Sequence, residues 1–444
     1  MKKDYIKSLK SKIGKKNAAL GIIGLGYVGL PLALAFAKKG FRVTGIDVDK
    51  DRVRKIKRGI SYITDVSNDE LKKILKRERF ETTTNFKMIR KMDAVIICVP
   101  TPMGKNKEPD ISYIREAVTN VKNNIRKGQI IVLESTTYPG TTREILLPEL
   151  ESTGLKEGKD FYLAFSPERI DPANKIYKTE NTPKIIGGIS RKSTQIAKFL
   201  YDRAIKEVIP VSSADAAEMV KLLENTFRIV NIALVNEIAT LCNKFSLDTW
   251  EIIDAAKSKP YGFMPFYPGP GCGGHCIPVD PLYLSWKAKE HGFDTKFINL
   301  ASQVNESMPQ YVIERLDGIL AAHNKTLNKS KILVLGVAYK KNVKDLRESP
   351  AIDIIRILER RGVGVSFYDP LFPFLKINGI NLKRTPFTGS FLKSQDAVII
   401  ATDHTGLDYK FLAGHSSIIL DTRGILRKIP DIKRAKSKGR IFNL

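Results

Sequence analysis

The chain has few residues that could crosslink it, since its 444 residues include only four cysteines at irregular spacing. Such a number excludes the disulfide framework of a small secreted protein and favours a reducing, cytoplasmic location. Acidic residues are also scarce, with 47 Asp and Glu against 74 Lys and Arg, which gives a formal net charge of +27. This excess favours an anionic partner such as nucleic acid, a membrane surface or a phosphorylated small molecule, although a uniformly basic surface would give the same total.

Long uncharged runs are rare as well, and only residues 18–37 approach membrane length. Seven lysines precede them in residues 2–16, so hydropathy alone would indicate a signal peptide or a membrane span. However, the run contains four glycines and a proline, and the glycines fall where a strand is predicted to turn into a helix. We therefore reject both interpretations of this run.

The lysine-rich segment itself, residues 1–16, is predicted to be a basic tail that catalysis does not require. Ile6, Leu9 and Ile13 could form an apolar stripe on a basic helix, which would allow weak association with a membrane surface. Charge runs usually lie in water, so we expect a solvated tail instead.

Strand and helix patterns alternate at both ends of the chain. Apolar strands are predicted at 18–25, 41–47, 92–100 and 129–136, with 159–168 and 181–189 extending the sheet, and again at 331–339, 364–370, 396–402 and 417–424. Residues 212–245 lack Gly and Pro and predict one long helix, and a Gly/Pro-rich loop interrupts the helical region at 259–281. The pattern predicts an α/β fold with two Rossmann-like parallel-sheet domains joined by a central helical domain, with boundaries at 17–211, 212–323 and 324–444.

A glycine-rich turn, G-L-G-Y-V-G at 24–29, joins the first strand to the first helix of the sheet. Gly24 permits the tight turn, Gly26 lets the backbone approach a pyrophosphate, and Gly29 lets the helix and strand pack closely. The second strand ends at Asp47, where a carboxylate would bond the ribose hydroxyls of an adenosine and repel a 2′-phosphate. The sequence therefore predicts an NAD site that disfavours NADP.

The loop GPGCGGHCIPVDP (269–281) contains a candidate reactive thiol, Cys276. This cysteine follows a pair of glycines, Gly273 and Gly274, by two residues and precedes Asp280 by four. A thiol is a good nucleophile once cationic neighbours lower its pKa. Cys98 and Cys242 lie in apolar surroundings and are interpreted as small buried hydrophobes. Cys272, His275 and Cys276 could instead bind a metal, but the spacing does not fit common zinc motifs and no second ligand pair occurs, so no metal is expected.

Other polar residues stand out by position. Lys221 and Asn225 lie four residues apart in an apolar helical stretch, so at least one should face something polar. Glu168, Ser135 and Thr136 follow predicted strand ends, where parallel sheets place their active sites. Each of these residues taken alone is unremarkable.

Together these segments resemble the UDP-glucose/GDP-mannose dehydrogenase family over about residues 18–424. The resemblance lies in GIIGLGYVGLPLA, CVPTP, ESTTYPGTT, SPER, KLLENTFR, GPGCGGHCIPVDP and YKKNVKDLRESPA, taken in this order. It implies an enzyme that oxidises the C6 alcohol of a nucleotide sugar to a carboxylate with two NAD and no metal. It also implies an N-terminal NAD-binding domain, a central helical domain that forms a homodimer, and a C-terminal domain that holds the nucleotide.

The resemblance assigns roles to residues. Cys276 matches the nucleophile that forms a thiohemiacetal and then a thioester; Lys221 and Asn225 match groups that stabilise the oxyanion; Glu168 matches the general acid or base. Asp280 and Thr136 match residues that position water and lysine. The implied cofactor contacts are Gly24, Gly26, Tyr27, Val28, Gly29, Asp47, Arg52, Thr101, Ser135 and Arg347. The implied substrate contacts are Glu168, Lys221, Asn225, Tyr267, Gly273, Lys340 and Arg423.

Details of the loop favour one branch of the family. Members that act on UDP-glucose often have Lys where this chain has Val279, whereas KPYGFMPFYPGPG (259–271) is similar to UDP-N-acetylglucosamine 6-dehydrogenases. We therefore expect UDP-N-acetylglucosamine as substrate, followed by its N-acetylmannosamine and N-acetylgalactosamine epimers and then UDP-glucose, in polysaccharide or glycan synthesis.

Two other classes of function remain open from the residues alone. A two-electron Rossmann dehydrogenase for a small hydroxy acid would have no use for a loop thiol or a third α/β domain. A nucleic-acid-binding protein would explain the net charge, but no aromatic-basic motif accompanies it. We expect no nucleic-acid partner.

Overall fold

The structure is a computed structural model that describes residues 4–63, 66–104, 108–170, 174, 176–274, 276–377, 379–429, 432 and 439–444. The chain forms two compact units. Unit 1 comprises Met1–Glu224 and Trp286–Phe293, and unit 2 comprises Asn225–Ser285 and Asp294–Leu444. The three-domain boundaries drawn from the sequence stay a prediction.

Unit 1 is built on an eight-stranded sheet within the described residues, in the order β3-β2-β1-β4-β5-β6-β7-β8. Its strands are β1 (Ala19–Ile23), β2 (Arg42–Ile46), β3 (Phe80–Thr83), β4 (Ala94–Ile97), β5 (Gln129–Leu133), β6 (Phe161–Phe165), β7 (Lys184–Gly188) and β8 (Val208–Pro210). Neighbouring strands are parallel except β6 and β7, which pair antiparallel with Phe165 opposite Gly187. The central strands are apolar and buried along their length, as a parallel sheet covered on both faces requires.

Seven helices lie in the described part of unit 1 before the long helix. They are α1 (Tyr5–Gly14), α2 (Gly29–Lys38), α3 (Lys50–Lys57), α4 (Asn68–Leu75), α5 (Ser112–Lys122), α6 (Leu147–Glu151) and α7 (Arg191–Tyr201). Helix α2 is almost entirely apolar and its residues from Leu32 to Ala37 are all buried, which explains why hydropathy alone resembles a membrane segment. Among the described residues, no helix combines the length and the apolar character needed to cross a membrane.

Helix α1 corrects the prediction that residues 1–16 form a solvated tail with an apolar stripe for membranes. Leu9 and Ile13 are 2% and 0% exposed and belong to the hydrophobic core of unit 1, where helix α1 packs against α7. Lys12 also donates to Asp93 at 2.7 Å. The apolar stripe is thus covered by protein, because burying two aliphatic side chains in the core outweighs leaving them exposed. Residues 1–3 lie outside the described residues.

Two of the four helices that follow, α8 and α11, are long. Helix α8 (Ala214–Lys244) contains the division between the two units, and α9 (Thr249–Ala256) and α11 (Lys296–Ala322) belong to unit 2. Helix α10 (Asp280–Glu290) begins in unit 2 and ends in unit 1. Within unit 2, α8 and α11 contact each other through a small apolar cluster that includes Ile229 and Ala301. The predicted helix at 212–245 is confirmed to within two residues at its start and one at its end.

The sheet of unit 2 has five parallel strands in the described residues, in the order β10-β9-β13-β14-β15. The strands are β9 (Lys331–Leu335), β10 (Gly364–Tyr368), β13 (Ala397–Ile400), β14 (Ile419–Asp421) and β15 (Ile441–Asn443), with a separate hairpin of β11 (Phe374–Ile377) and β12 (Ile380–Lys383). Helices α12 (Pro350–Arg360), α13 (Gly389–Lys393) and α14 (Tyr409–His415) connect them. The prediction of two Rossmann-like parallel sheets is confirmed.

Candidate active site

The glycine-rich turn of unit 1 has the geometry that a dinucleotide site needs. Gly24 has a φ of +87°, and a Cβ there would lie 2.5 Å from the carbonyl oxygen of Cys98. A Cβ on Gly29 would lie 1.9 Å from the oxygen of Gly24. A Cβ on Gly26, in contrast, would meet nothing within 4 Å. Packing within the protein therefore explains Gly24 and Gly29 but not Gly26, whose open backbone suits the close approach of a phosphate.

Asp47 follows β2, and its side chain is hydrogen-bonded to the backbone of this turn. Its carboxylate is buried, with Oδ2 accepting from the Leu25 amide at 2.8 Å and Oδ1 accepting from the Asp49 amide at 2.9 Å. Arg52 reaches the same carboxylate with Nη1 at 3.5 Å from Oδ2. The acid is thus fixed beside the glycine turn, at the end of the second strand, as the sequence predicts for a ribose contact.

The remaining predicted cofactor contacts of unit 1 follow strands at the same edge. Tyr27 is exposed and Val28 is partly buried in the glycine turn, while Thr101 and Ser135 are buried after β4 and β5. The Ser135 hydroxyl donates to the Val99 carbonyl at 2.7 Å. Because neighbouring parallel strands end at one edge, Gly24, Asp47, Thr101 and Ser135 are brought together, and partly buried Thr136 follows directly.

Glu168 follows β6 and lies in a buried charged cluster that the sequence reasoning missed. Its Oε1 accepts from the amides of Arg169 and Ile170, both at 2.7 Å, and its Oε2 lies 3.4 Å from Lys184 Nζ. Lys184 Nζ also lies 2.5 Å from Glu134 Oε2, and the Tyr201 hydroxyl donates to Glu134. Every one of these partners is a donor to Glu168 or Glu134.

The charges in this cluster oppose one another. Burial raises the pKa of Glu134, although Lys184 opposes the rise. Burial alone would lower the pKa of Lys184, but the carboxylates of Glu134 and Glu168 outweigh it and hold that pKa above its ordinary value. Lys184 is therefore a buried ammonium between two acids. The signal available in the sequence was a lone lysine at the start of an otherwise apolar strand, which reads as an ordinary strand boundary.

Lys221 is buried on helix α8, one turn after a second acid that the sequence reasoning missed. This acid, Glu218, accepts from the amides of Gly140 and Thr142 at 2.7 and 2.9 Å and from the Thr142 hydroxyl at 2.7 Å. Burial raises the pKa of Glu218 to about 7, against the three donors, which lower it. Glu218 thereby ties the helix of Lys221 to the segment 135–142 that contains Ser135 and Thr136.

In unit 2, Cys276 is exposed and lies four residues before the first residue of helix α10. Its carbonyl accepts from the amides of Val279 and Asp280 at 3.3 and 2.9 Å, so the chain turns into the helix at this residue. The guanidinium of Arg347 interacts electrostatically with the thiol, although the hydrogen bond to Asp345 is the main reason that the pKa of Arg347 is raised.

The glycines around Cys276 are required by close packing. A Cβ on Gly273 would lie 2.6 Å from the Glu348 carbonyl and 2.8 Å from Tyr339 Cβ. Gly274 has a φ of +90°, and its amide donates to the Arg347 carbonyl at 3.0 Å. The loop therefore lies directly on the segment 339–350. This contact brings Cys276 together with two of the predicted ligand residues, Arg347 and partly buried Lys340.

Asn225 and Asp280 meet inside unit 2, where Asn225 Nδ2 lies 2.5 Å from Asp280 Oδ2 and both side chains are buried. Since Lys221 and Asn225 are one turn apart on α8 and both are buried, the expectation that this face of the helix meets polar groups is confirmed. Cys276 and Asp280 are likewise one turn apart along the chain, so the amide of Asn225 is fixed near the start of α10.

The other predicted substrate contacts lie farther along the loop and the sheet. The Tyr267 hydroxyl donates to Asp254 Oδ1 at 2.7 Å on helix α9 rather than facing the thiol loop. Arg423 follows β14 and donates from Nε to the Ala401 carbonyl at 2.8 Å. A Cβ on Gly269 would lie 2.8 Å from Arg423 Nη1, so this arginine does reach the Gly/Pro-rich loop.

The four cysteines differ in the way that a single reactive thiol requires. Cys98 and Cys242 are buried, and burial raises the pKa of Cys98 well above its ordinary value. Burial also raises the pKa of Cys272 to about 12, although Arg423 and Arg228 oppose this. Among the described residues, no group of three or more His, Cys, Asp or Glu side chains could hold a metal ion, and His275 lies outside them.

The predicted site residues thus form two groups. Gly24, Gly26, Tyr27, Val28, Gly29, Asp47, Arg52, Thr101, Ser135, Thr136, Glu168 and Lys221 lie in unit 1. Cys276, Asn225, Asp280, Arg347, Tyr267, Gly273, Lys340 and Arg423 lie in unit 2. The first group has the features of a dinucleotide site, and the second has an exposed thiol among cations and amides.

Comparison with known protein families finds three matches, which follow one another along the chain. The chain matches the NAD binding domain of the UDP-glucose/GDP-mannose dehydrogenase family at residues 18–205, the central domain at 215–307 and the UDP binding domain at 333–428.

Individual relatives cover nearly the whole chain. A UDP-N-acetyl-D-mannosamine dehydrogenase of Pyrococcus horikoshii is 36% identical over 93% of this chain and 96% of its own. A UDP-N-acetyl-D-glucosamine 6-dehydrogenase of Pseudomonas aeruginosa is 34% identical over 88% of this chain and 91% of its own. A solved structure of the UDP-N-acetylmannosamine dehydrogenase from Pyrococcus horikoshii matches with a TM-score of 0.83 and 35% identity, over 91% of this chain and 94% of that one.

Proposed function

The chain belongs to the UDP-glucose/GDP-mannose dehydrogenase family, and from this premise we propose that it oxidises the C6 hydroxyl of a UDP-N-acetylhexosamine to a carboxylate. As a member it is an NAD-dependent nucleotide-sugar dehydrogenase. When bound, NAD accepts one hydride at each of the two oxidations. The open backbone at Gly26 and the fixed carboxylate of Asp47 fit that cofactor.

The observation that carries the proposal is the thiol of Cys276, which is exposed just before α10 and interacts electrostatically with Arg347. In the proposed mechanism, its thiolate adds to the C6 aldehyde that the first oxidation produces, and a C–S bond forms. The carbonyl oxygen then takes the negative charge. The amide of Asn225, held by Asp280, and the ammonium of Lys221 are the donors assigned to this oxyanion.

The second oxidation converts this thiohemiacetal into a thioester, which water hydrolyses. Water attacks the C6 carbonyl, the C–S bond breaks, and Cys276 leaves as a thiolate. Over the whole reaction the alcohol gains one water and loses two hydrides and three protons. Glu168 is assigned to the proton transfers, since hydrogen bonds from the amides of Arg169 and Ile170 fix the position of its carboxyl group after β6.

For the sugar, the likeness of residues 259–271 supports UDP-N-acetylglucosamine as the first candidate. UDP-N-acetylmannosamine is the second, because relatives named for that substrate cover this chain as fully as those named for the glucosamine. We assign UDP-glucose a lower rank, since a site built to bond an acetamido group leaves those donors and acceptors unpaired with glucose. A role in polysaccharide or glycan synthesis in the cytoplasm completes the proposal.

We further propose a homodimer formed through the central helical region, in keeping with the three-domain division at 17–211, 212–323 and 324–444. Phe227, Leu234 and Leu241 are exposed on α8 at intervals of seven residues, which places them along one side of the helix, and exposed Phe245 follows directly after its last residue. A continuous exposed apolar stripe is uncommon on a monomer. Sedimentation velocity should give twice the chain mass, and Leu234→Glu should give the monomer.

The test of the proposed function combines a substrate panel with two cysteine variants. NADH production is measured with UDP-N-acetylglucosamine, its two epimers, UDP-glucose and GDP-mannose. Cys276→Ser should abolish steady turnover, because an alkoxide is a far poorer nucleophile and leaving group than a thiolate. Cys272→Ser is the matched control, since that partly buried thiol has a raised pKa and should be dispensable.

Each outcome bears on a different part of the proposal. UDP-glucose as the best substrate would refute the N-acetylhexosamine assignment but not the family. Near-normal NADH and acid production by Cys276→Ser would refute the covalent mechanism and favour a simple two-electron dehydrogenase.

A further inference from the structure

The second unit contains a turn with the same backbone bonding as the glycine turn of the first. Gly336 follows β9 with a φ of +81°, and its amide donates to the Tyr368 carbonyl at 2.8 Å. The next amide, of Val337, donates to Asp369 Oδ2 at 2.7 Å, and Asp369 Oδ1 accepts from Leu371 at 2.8 Å. Gly24 and Asp47 make the matching three bonds in unit 1, at 2.8, 2.8 and 2.9 Å.

The two acids nevertheless have different neighbours. The carboxylate of Asp47 is paired with the half-exposed side chain of Arg52. Asp369, in contrast, is fully buried, and its Oδ2 lies 3.0 Å from Nε2 of the His404 ring. His404 is 1% exposed and follows β13. In unit 2 the acid that follows the second strand, Asp369, therefore binds a buried histidine of the protein, where Asp47 in unit 1 meets a half-exposed arginine.

The bonds of His404 fix where its proton resides. The backbone amide of Asn342 lies 3.0 Å from His404 Nδ1, and a backbone amide can only donate. Nδ1 must then be the acceptor, so the proton is on Nε2 and is donated to Asp369. The ring thus accepts a hydrogen bond from the backbone of residue 342 and donates one to the carboxylate of Asp369.

Asn342 is held on its other sides as well. It has a φ of +62°, a left-handed conformation that asparagine tolerates better than most residues. Its side-chain oxygen accepts from both the amide and the hydroxyl of Thr405, each at 3.0 Å. Asn342 lies two residues after Lys340 and five before Arg347, the residues assigned to the ligands.

We propose that Asp369, His404 and Asn342 act as a relay of positioning residues that fixes residues 339–342 in their ligand-binding shape and so sets the affinity for the uridine nucleotide, whereas Arg347, assigned to the cofactor, is bonded separately by Asp345. The inference rests on the proposed function, in which Lys340 contacts the nucleotide side of the substrate. None of the three relay residues needs to touch the ligand. Their effect passes through the backbone of the loop.

Two substitutions at His404 separate the two bonds of the ring. Asparagine places an oxygen near the position of Nδ1 and can still accept from Asn342, but it no longer reaches Asp369. Glutamine places its amide near the position of Nε2 and can still donate to Asp369, but it leaves the Asn342 amide without that acceptor. Asp369 would keep the amides of Val337, Ala338 and Leu371 in either variant.

We expect His404→Gln to raise the KM for the UDP-sugar about tenfold, the loss expected for one buried hydrogen bond, with kcat and the KM for NAD within about twofold of wild type. His404→Asn keeps the bond to Asn342 and loses only the bond to Asp369 that orients residue 404, so it should raise the KM for the UDP-sugar by a smaller factor, about threefold, with kcat and the KM for NAD within about twofold of wild type. Equal effects of the two variants, or a parallel rise in the KM for NAD, would overturn the relay. Asn342→Gly provides a second measurement, since glycine keeps the positive φ and the backbone bond but loses both bonds to Thr405, and it should raise only the UDP-sugar KM.

Calorimetric binding of UDP separates failure of this inference from failure of the proposed function. Weaker UDP binding by His404→Gln than by His404→Asn would support the relay even if no tested UDP-sugar were oxidised. Equal UDP binding by wild type and both variants would refute the relay even if the chain proved to be an active dehydrogenase.

Discussion

Glu218 gives a prediction whose size follows from the structure. Burial raises its pKa from 4.5 to about 7 despite three donors. A carboxyl with a raised pKa binds its proton more tightly in the folded chain, so its contribution to stability is fully present below about pH 4.5 and is lost as the pH rises through about 7. One pKa unit corresponds to about 1.4 kcal/mol, so about 3 kcal/mol should disappear across this window.

The perturbation is Glu218→Gln, which removes the titration while keeping the shape of the side chain. Thermal midpoints of wild type and variant are compared between pH 4.5 and 8.5, so that titrations common to both proteins cancel. For a unit of this size about 3 kcal/mol corresponds to a relative loss of about 6 °C or more for the wild type at the alkaline end. Thr142→Val removes one donor to the carboxylate and should move the window to higher pH. Parallel curves for wild type and Glu218→Gln would refute the reasoning.

Three further predictions concern unit 1. Wild type should prefer NAD over NADP at least about tenfold in kcat/KM, and Asp47→Asn, which retains an acceptor for the Leu25 amide, should narrow that ratio; an unchanged ratio would mean that Asp47 does not face the ribose. Lys184→Met should cost about 3–5 kcal/mol of stability in denaturant unfolding, because it leaves Glu134 and Glu168 without their buried cation, whereas Lys184→Arg keeps the charge and should cost less; equal costs would mean that the charge of Lys184 does not stabilise the cluster. Leu9→Ala should cost about 2–5 kcal/mol and lower the thermal midpoint, and a change of less than about 1 °C would indicate that helix α1 does not contribute to the core.

The parts of the site that could be predicted from the sequence are those in which local backbone geometry dictates the residue. The glycines at 24 and 29 are required by contacts under 3 Å, and the acid at 47 follows an apolar strand at a fixed distance along the chain. Such features lie within one β–α–β unit, where short-range spacing determines the arrangement. The same holds for the long helix 214–244, whose periodicity is uninterrupted.

The parts that could not be predicted depend on pairing between distant segments. Lys184 and Glu134 are 50 residues apart and meet only because β7 lies two strands from β5. Asp369 follows β10 and His404 follows β13, and nothing in the sequence pairs them. They meet because the sheet order places β10 and β13 on either side of β9. The burial of helix α1 in the core was missed for a different reason. Seven lysines in residues 2–16 dominate the composition of this segment and hide the two aliphatic residues that are buried.

The reversed direction of β7 has a consequence for how this enzyme can diversify. Lys184 is the first residue of β7, and strand pairing fixes it opposite Val208 on β8 while the other end of the strand pairs with β6. The position of its ammonium is therefore set by the sheet and does not depend on the length of chain that connects the two strands. Changes in the length of the connection after Ile170 would leave this ammonium in place, because Glu168 and the two amides that bond it lie before that point. Variants that differ in this part of the connection would then share the same charge beside Glu168.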